Sequence, residues 1–441
     1  MTGHPNETGD SGQRRALPLG QLVTLSIYWL GIQTIWGGVN TVVLPDRFDE
    51  MGPAVAGSLL AITLGLSAVA AILVQPTVGI ISDYTVTRWG RRKPYIVIGT
   101  LLDMVFLVGL ATSNTFLSIV AFYFLLQVSS NFAQGPFQGY VPDLVPARQV
   151  GLASGLMGLM LTVGTIAGVG LATIGPDLMG QPIAVISLGV VEVLTMVVLV
   201  ATVNEGRAAP PRPGTWRQVA LSAWARDILG ERNVLWLLVV RLLFLGAYNS
   251  TLIALLFFQR SLGLPHDEAR STLFVAVAIV AVLTALAAVP GGRLSDRFGR
   301  RAVIWGASVI ATLGLAAAAV APTRELAIAA WIPFGIGMGA FLSADWALMA
   351  DVIPKATAGR YMGILNAGTA MAGPLYIVIA GPAQDLSGAL FGVAVGPRVA
   401  IGIAALFVVG AALALTRVDP RRREDSMPEA EPAAARAVGA A

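Results

Sequence analysis

The sequence predicts an all-α membrane protein, with twelve transmembrane helices in two pseudo-symmetric six-helix bundles. Three observations carry that expectation. Of the 441 residues, 56% are hydrophobic and 12% charged, where a soluble globular chain has about a quarter charged; mean hydropathy is +0.74. The apolar residues collect into runs that reach the roughly 20 residues a bilayer crossing requires. A charged motif also stands twice between such runs. Gly79-Ile80-Ile81-Ser82-Asp83 leads into Arg88-Trp89-Gly90-Arg91-Arg92-Lys93-Pro94, and Gly292-Arg293-Leu294-Ser295-Asp296 leads into Arg297-Phe298-Gly299-Arg300-Arg301. Asp296 follows Asp83 by 213 residues, the spacing of two related halves.

Taken in order, an N-terminal tail occupies 1–19 and six spans are expected at about 20–43, 53–81, 94–112, 115–141, 150–174 and 183–203, forming a bundle over 20–203. Arg14 and Arg15 precede the first span, but its apolar run is too long for a signal-peptide core and lacks a clear cleavage site, so it is expected to stay. A linker at 204–232 is broken by Pro210, Pro211, Pro213 and Gly214, with Trp216, Val219, Ala220 and Trp224 spaced for a short interfacial helix. Six further spans, at about 233–259, 268–292, 302–321, 325–352, 360–382 and 396–416, form a second bundle over 233–416. The tail at 417–441 is rich in Ala, Glu, Pro and Arg and is expected to be disordered.

Basic residues set the orientation. With the N-terminus in the cytoplasm, inner loops hold Arg88, Arg91, Arg92, Lys93, Arg148, Arg207, Arg212, Arg217, Arg293, Arg297, Arg300, Arg301, Lys355 and Arg360, joined by Arg421, Arg422 and Arg423. Outer loops hold Arg47, Arg260, Arg270, Arg324 and Arg398. The asymmetry matches the positive-inside rule, placing both termini inside a cell membrane. The basic pI of about 9.6 is then topology, and no nucleic-acid partner is expected. Cysteine is absent, which excludes a disulfide framework and thiolate–metal chemistry. No metal or cofactor is expected. His4 and His266 fall outside the spans and read as solvated surface. No nucleophile elbow, metal cluster or phosphate loop is present, so the chain is not read as an enzyme.

A second repeat strengthens the two-bundle reading. Asp143-Leu144-Val145-Pro146 and Asp351-Val352-Ile353-Pro354 stand 208 residues apart, each at the end of a long span and each leading into a glycine-rich helix. With these residues the chain resembles the major facilitator superfamily over essentially its whole length, which implies a secondary transporter. Within it, Leu73-Val74-Gln75-Pro76-Thr77-Val78-Gly79, the four-residue expansion before Arg88, Gly31-Ile32-Gln33, Trp36, and Asn131 with Gln134-Gly135-Pro136 are similar to the sucrose–proton symporters and the glycoside–pentoside–hexuronide:cation symporters. That resemblance implies a disaccharide or other glycoside moved with protons. It also implies an acid and an arginine on span 4, where this chain has Gln127 and Gln138, and a sodium-binding acid where it has Gln75. Glutamine does not carry a proton, so proton coupling needs another carboxylate.

Helical spacing indicates a cavity. Gln127, Asn131, Gln134 and Gln138 follow i, i+4, i+7, i+11 on span 4, and Trp29, Gln33, Trp36 and Asn40 form a like stripe on span 1. Amides facing lipid are costly, so both stripes should face protein or water; interhelical hydrogen bonding is the bland alternative. In the superfamily spans 1, 4, 7 and 10 line the cavity, and Gln33, Trp36, Asn40, Asn131, Gln134 and Gln138 are the expected substrate contacts. Amides meet hydroxyls and aromatic faces stack on sugar C–H surfaces.

Intramembrane charge points to function. Arg241 on span 7 and Asp345 on span 10 stand at matching depth and are expected to pair, with Asp345 the first candidate for coupling and Asp103 and Glu192 the next. A gate on the cytoplasmic side is expected from Gly79, Asp83, Arg91, Arg92 and Asp143 and their counterparts Gly292, Asp296, Arg300, Arg301 and Asp351. The glycines would admit a neighbouring helix; the aspartates would cap a helix across the bundle interface or pair with arginines. The expected partners are a sugar-like solute, protons and the bilayer, with the protein a monomer. An exporter of lipophilic compounds is the alternative function, followed by a non-transporting sensor or assembly factor.

Overall fold

The computed structural model describes residues 16–146, 149–205, 214–222, 231–352 and 358–419, and the regular elements among them are all helical. The long helices are α1 Leu19–Met51, α2 Ala56–Asp83, α3 Lys93–Thr112, α4 Phe116–Gln138, α5 Val150–Met179 and α6 Gln181–Thr202. The second set comprises α7 Arg232–Ser261, α8 His266–Phe298, α9 Arg300–Val320, α10 Arg324–Val352, α11 Ala358–Phe391 and α12 Val395–Leu415. Eleven are long and apolar enough to cross a membrane, and α11, at 34 residues, supplies the twelfth. The expected spans appear in the expected order.

Several run past their sequence-read ends, because a helix continues beyond the apolar stretch until a local signal stops it. α8 carries the charged motif inside its last turns and stops at Gly299, whose φ of 91° suits glycine. In the first copy α2 ends on Asp83 and the equivalent glycine, Gly90, has φ 117°. Each Gly-Arg-Arg run therefore needs its glycine to reverse the chain. α4 opens on a capping box between Thr115 and Ser118. α1 and α7 each contain a five-residue π-helical turn, at Val39–Val43 and Phe257–Ser261. Two short helices, Tyr140–Leu144 and Trp216–Ser222, follow α4 and precede α7, the latter packing on α2.

Packing repeats between the halves. α1 packs on α5 and α6, as α7 packs on α11 and α12; the pairs α2–α4, α3–α4, α3–α6 and α5–α6 recur as α8–α10, α9–α10, α9–α12 and α11–α12. The bundles meet through α2–α11 and α5–α8, an exchange of equivalents, and through α1–α7. This is the pattern of a pseudo-twofold axis. The close approaches depend on missing side chains. A Cβ on Gly135 would overlap the Gln75 carbonyl of α2, and one on Gly291 would lie 2.6 Å from Ala340 Cα. Gly79 and Gly292, expected to play this part, would make only ordinary contacts, at 3.5 and 3.8 Å. The tight contact falls on the partner helix in the first half; in the second it falls on Gly291 and on Gly339 of the partner helix, whose Cβ would overlap the Thr284 carbonyl.

Expectations on residues 1–15, Arg148, Arg207, Pro210, Pro211, Arg212, Pro213, Trp224, Lys355 and the tail from 420 lie outside the described residues. So do the side chains of Asp351 and Arg360.

Candidate functional site

A cavity of about 320 Å³ lies between the bundles. α1 contributes Gln33, Trp36 and Asn40, the last in the π turn, and α4 contributes Tyr123, Gln127, Asn131 and Gln134. Gln75 enters from α2, Thr165 from α5, Tyr248 and Asn249 from α7, Val277 from α8 and Thr369 from α11. Among the described residues no charged side chain lines it. The sequence-read stripes on α1 and α4 therefore converge on one space, with two departures. Gln138 is not among the lining residues; the last residue of α4, it stands beyond the cavity floor. Trp29 turns instead against Phe137, with ring centroids 5.6 Å apart.

The expected lining by span 10 is replaced by α11, since among the described residues none of α10 reaches the cavity. Residues not anticipated from sequence include Tyr123, Gln75, Tyr248, Asn249 and Thr369. Tyr123 was within reach, four residues before Gln127 on the same face.

The walls are partly braced and partly free. Tyr123 donates its hydroxyl to Asn40 Oδ1 at 2.9 Å and its ring meets Trp36 edge-on at 6.1 Å. Asn131 Nδ2 donates to the Gln127 carbonyl at 2.8 Å, and Gln134 Nε2 to Ser130 Oγ at 2.9 Å. The side-chain amides of Gln33 and Gln75 make no hydrogen bond among the described residues. They offer a donor pair and an acceptor each to whatever enters.

Arg241 and Asp345 form a buried ion pair between α7 and α10. Arg241 also donates to Met349 Sδ and to Thr369 Oγ1, both at 2.9 Å, so the pair ties α7, α10 and α11 together behind the cavity wall. Asp345 itself is fully buried and does not line the cavity. The other two coupling candidates, Asp103 of α3 and Glu192 of α6, are also fully buried and lie together, their carboxyl groups within hydrogen-bonding reach of each other.

The first charged motif forms a cluster inside its own bundle. Arg92 Nη2 bonds Asp83 Oδ1 and Asp143 Oδ2 at 2.7 Å, Arg92 Nη1 donates to the Pro136 carbonyl at 2.7 Å, and Arg91 pairs with Asp143. Among the described residues Asp83 thus pairs with arginine, and no helix of the other bundle is capped by it there. In the second motif Asp296 pairs with Arg300 across Gly299, and Arg301 reaches the Thr416 carbonyl at 3.4 Å. Contacts that cross between bundles sit on the opposite face. Asp46 binds Arg270 and accepts from His266 Nε2 at 2.5 Å; Asp49 accepts from Arg260 Nε at 2.9 Å; Asp385 accepts from the Gly57 and Ser58 amides at 3.1 and 2.6 Å. His266 is therefore half-exposed but engaged, and not the solvated residue its sequence position indicated.

A family model for the Major Facilitator Superfamily matches residues 22–288 and 269–439. The chain is 29% identical over 141 residues to a lactose permease of Leuconostoc lactis, covering 28% of this chain and 22% of that protein. It is 26% identical over 174 residues to a sucrose transport protein of Oryza sativa subsp. japonica, covering 34% of this chain and 32% of that one. These matches span about a fifth to a third of the relatives' length. Among solved structures, a variant of the nucleoside transporter NupG superposes with a TM-score of 0.70 at 15% identity, over 90% of this chain and 99% of that one, a likeness of fold.

Proposed function

The chain belongs to the major facilitator superfamily, and from that premise we propose that it carries a small neutral polar solute, a disaccharide or other glycoside, across a membrane by alternating access coupled to protons. The observation that supports this most is the cavity wall: amides and aromatic rings from both bundles, and no charged side chain among the described residues. A neutral polyol exchanges its water hydrogen bonds for such amides without leaving a buried charge unpaired. A lipophilic cation would want an acid in the wall. The volume sits at the low end of small-ligand sites, which run about 300–1,000 Å³. The partial matches to a lactose permease and a sucrose transport protein support the sugar class.

In this reading the protein works as a monomer in a cell membrane, with both termini and the Gly-Arg-Arg runs on the cytoplasmic side. Gln33, Trp36, Asn40, Asn131 and Gln134 contact the solute. Asp83, Arg91, Arg92 and Asp143 brace the first bundle at the cytoplasmic gate, and Asp296, Arg300, Arg301 and Asp351 occupy the equivalent place in the second. The test is counterflow in proteoliposomes preloaded with unlabelled sugar. Radiolabelled disaccharide should enter faster than into protein-free vesicles, and a lipophilic dye should not compete. Dye transport with no disaccharide counterflow would reverse the assignment in favour of an exporter.

A further inference from the structure

The first bundle holds two acids at membrane depth and nothing basic to neutralise them. Residues 16–45, 94–138 and 150–202, which supply the membrane stretches of α1, α3, α4, α5 and α6, contain no Lys, Arg or His. Asp103 and Glu192 are both 0% exposed. Serine and tyrosine hydroxyls supply donors from two sides: Ser129 of α4 donates to Asp103 Oδ1, and Tyr28 of α1 donates to Glu192 Oε1 at 3.2 Å while bonding Thr100 Oγ1 at 2.5 Å. Among the described residues no donor reaches Asp103 Oδ2 or Glu192 Oε2, yet the two carboxyl groups are within hydrogen-bonding reach of each other. Among the described residues Tyr28 is the one other titratable group turned toward them; α4 and α5 bring no charged side chain to the pair.

A hydrogen bond between two carboxyl groups requires a proton, and two ionised carboxylates cannot share one dry site. We propose that Asp103 and Glu192 together form a proton-binding site that holds one shared proton, and that this site, not Asp345, carries the coupling proton. Asp345 is already held by Arg241, which supplies its countercharge. Asp103 and Glu192 have none, so a proton fills that role. The geometry also connects the site to the cavity. α1 carries Tyr28 toward the dyad and Gln33 and Trp36 toward the solute; α4 carries Ser129 toward the dyad and Gln127, Asn131 and Gln134 toward the solute. α1 is seated directly against Glu192, since a Cβ on Gly31 would lie 2.7 Å from Glu192 Cα. Loss of the proton drives the carboxylates apart, moving α3 and α6 against the two helices that carry the amide stripes.

The inference rests on the proton-coupled reading above, and its test separates the two. The purified wild-type protein is titrated by infrared difference spectroscopy, following the carbonyl stretch of a protonated carboxyl group. A band is expected near neutral pH that falls as pH rises, survives in Asp345→Asn and vanishes in Asp103→Asn/Glu192→Gln, whose amides keep the shape and hydroxyl contacts of the site. Should the double variant not fold, Glu192→Gln alone should shift the band. In proteoliposomes Glu192→Gln should reduce accumulation on a pH gradient to that of passive equilibration. Absence of the band in wild type, or its loss in Asp345→Asn with persistence in the double variant, overturns the proposal. If the band behaves as expected but no disaccharide counterflow occurs, the proton site stands and the sugar assignment fails.

Discussion

At the scale of single residues, the division of labour along α4 is sharp enough to test. Gln127, Asn131 and Gln134 line the cavity and Gln138 does not. The side-chain period places all four on one face, but at about 1.5 Å per residue Gln138 stands about 16 Å along the axis from Gln127, beyond the floor of the site. Periodicity fixes the face of a helix and says nothing of where the space beside it ends. Gln134→Ala should therefore raise the apparent KM for a glycoside about two- to tenfold, the loss of one neutral hydrogen bond of roughly 0.5–1.5 kcal/mol. Gln138→Ala should leave it unchanged; uptake kinetics on the two variants decide the matter. The Arg241–Asp345 pair was legible because a charge in an apolar run needs a partner at equal depth. That Asp103 and Glu192 touch was not legible, since two acids give no pairing signal until the helices are packed. Removing Arg241 alone, as Arg241→Gln, should cost about 3–5 kcal/mol by leaving Asp345 buried without a countercharge. Arg241→Gln/Asp345→Asn should recover much of that in a thermal-unfolding measurement.

At the scale of helices, the spans, their order and their repeat were readable because a bilayer crossing demands a long apolar run. Their ends were less so. α8 continues through charged residues to Phe298, where hydropathy has already fallen. The π turns in α1 and α7 leave no sequence signature, although one of them sets Asn40 into the cavity. The repeated motif points to Gly79 and Gly292 for helix contact, whereas tighter approaches fall at Gly135, Gly291 and Gly339. A motif glycine can serve the chain path, as Gly90 and Gly299 do, and packing selects its own. Gly135→Ala should then force α2 and α4 apart and depress transport, with Gly79→Ala close to wild type in the same uptake assay.

At the scale of the whole molecule, the two bundles are tied on the face opposite the Gly-Arg-Arg runs. Asp46–Arg270, Asp46–His266 and Asp49–Arg260 join residues 224, 220 and 211 positions apart. No periodicity links such partners, so the latch is invisible in the sequence, where Arg260 and Arg270 counted only as outer-loop charge. The first charged motif, in contrast, closes on itself within its bundle. The conformation is thus shut on the opposite face. Asp46→Asn/Asp49→Asn should favour opening there, raising severalfold the rate at which an impermeant maleimide labels Val277→Cys, a cavity position in a chain with no native cysteine.

The same cysteine-free background gives the most direct test of the central claim, that the cavity between the bundles holds a neutral sugar-like solute. Thr165→Cys places a near-isosteric thiol in the wall among the amides. Alkylation of that thiol should slow in proportion to occupancy as disaccharide is added, and should not respond to a lipophilic cation. Unchanged alkylation at saturating disaccharide, with protection by the cation, would contradict the account.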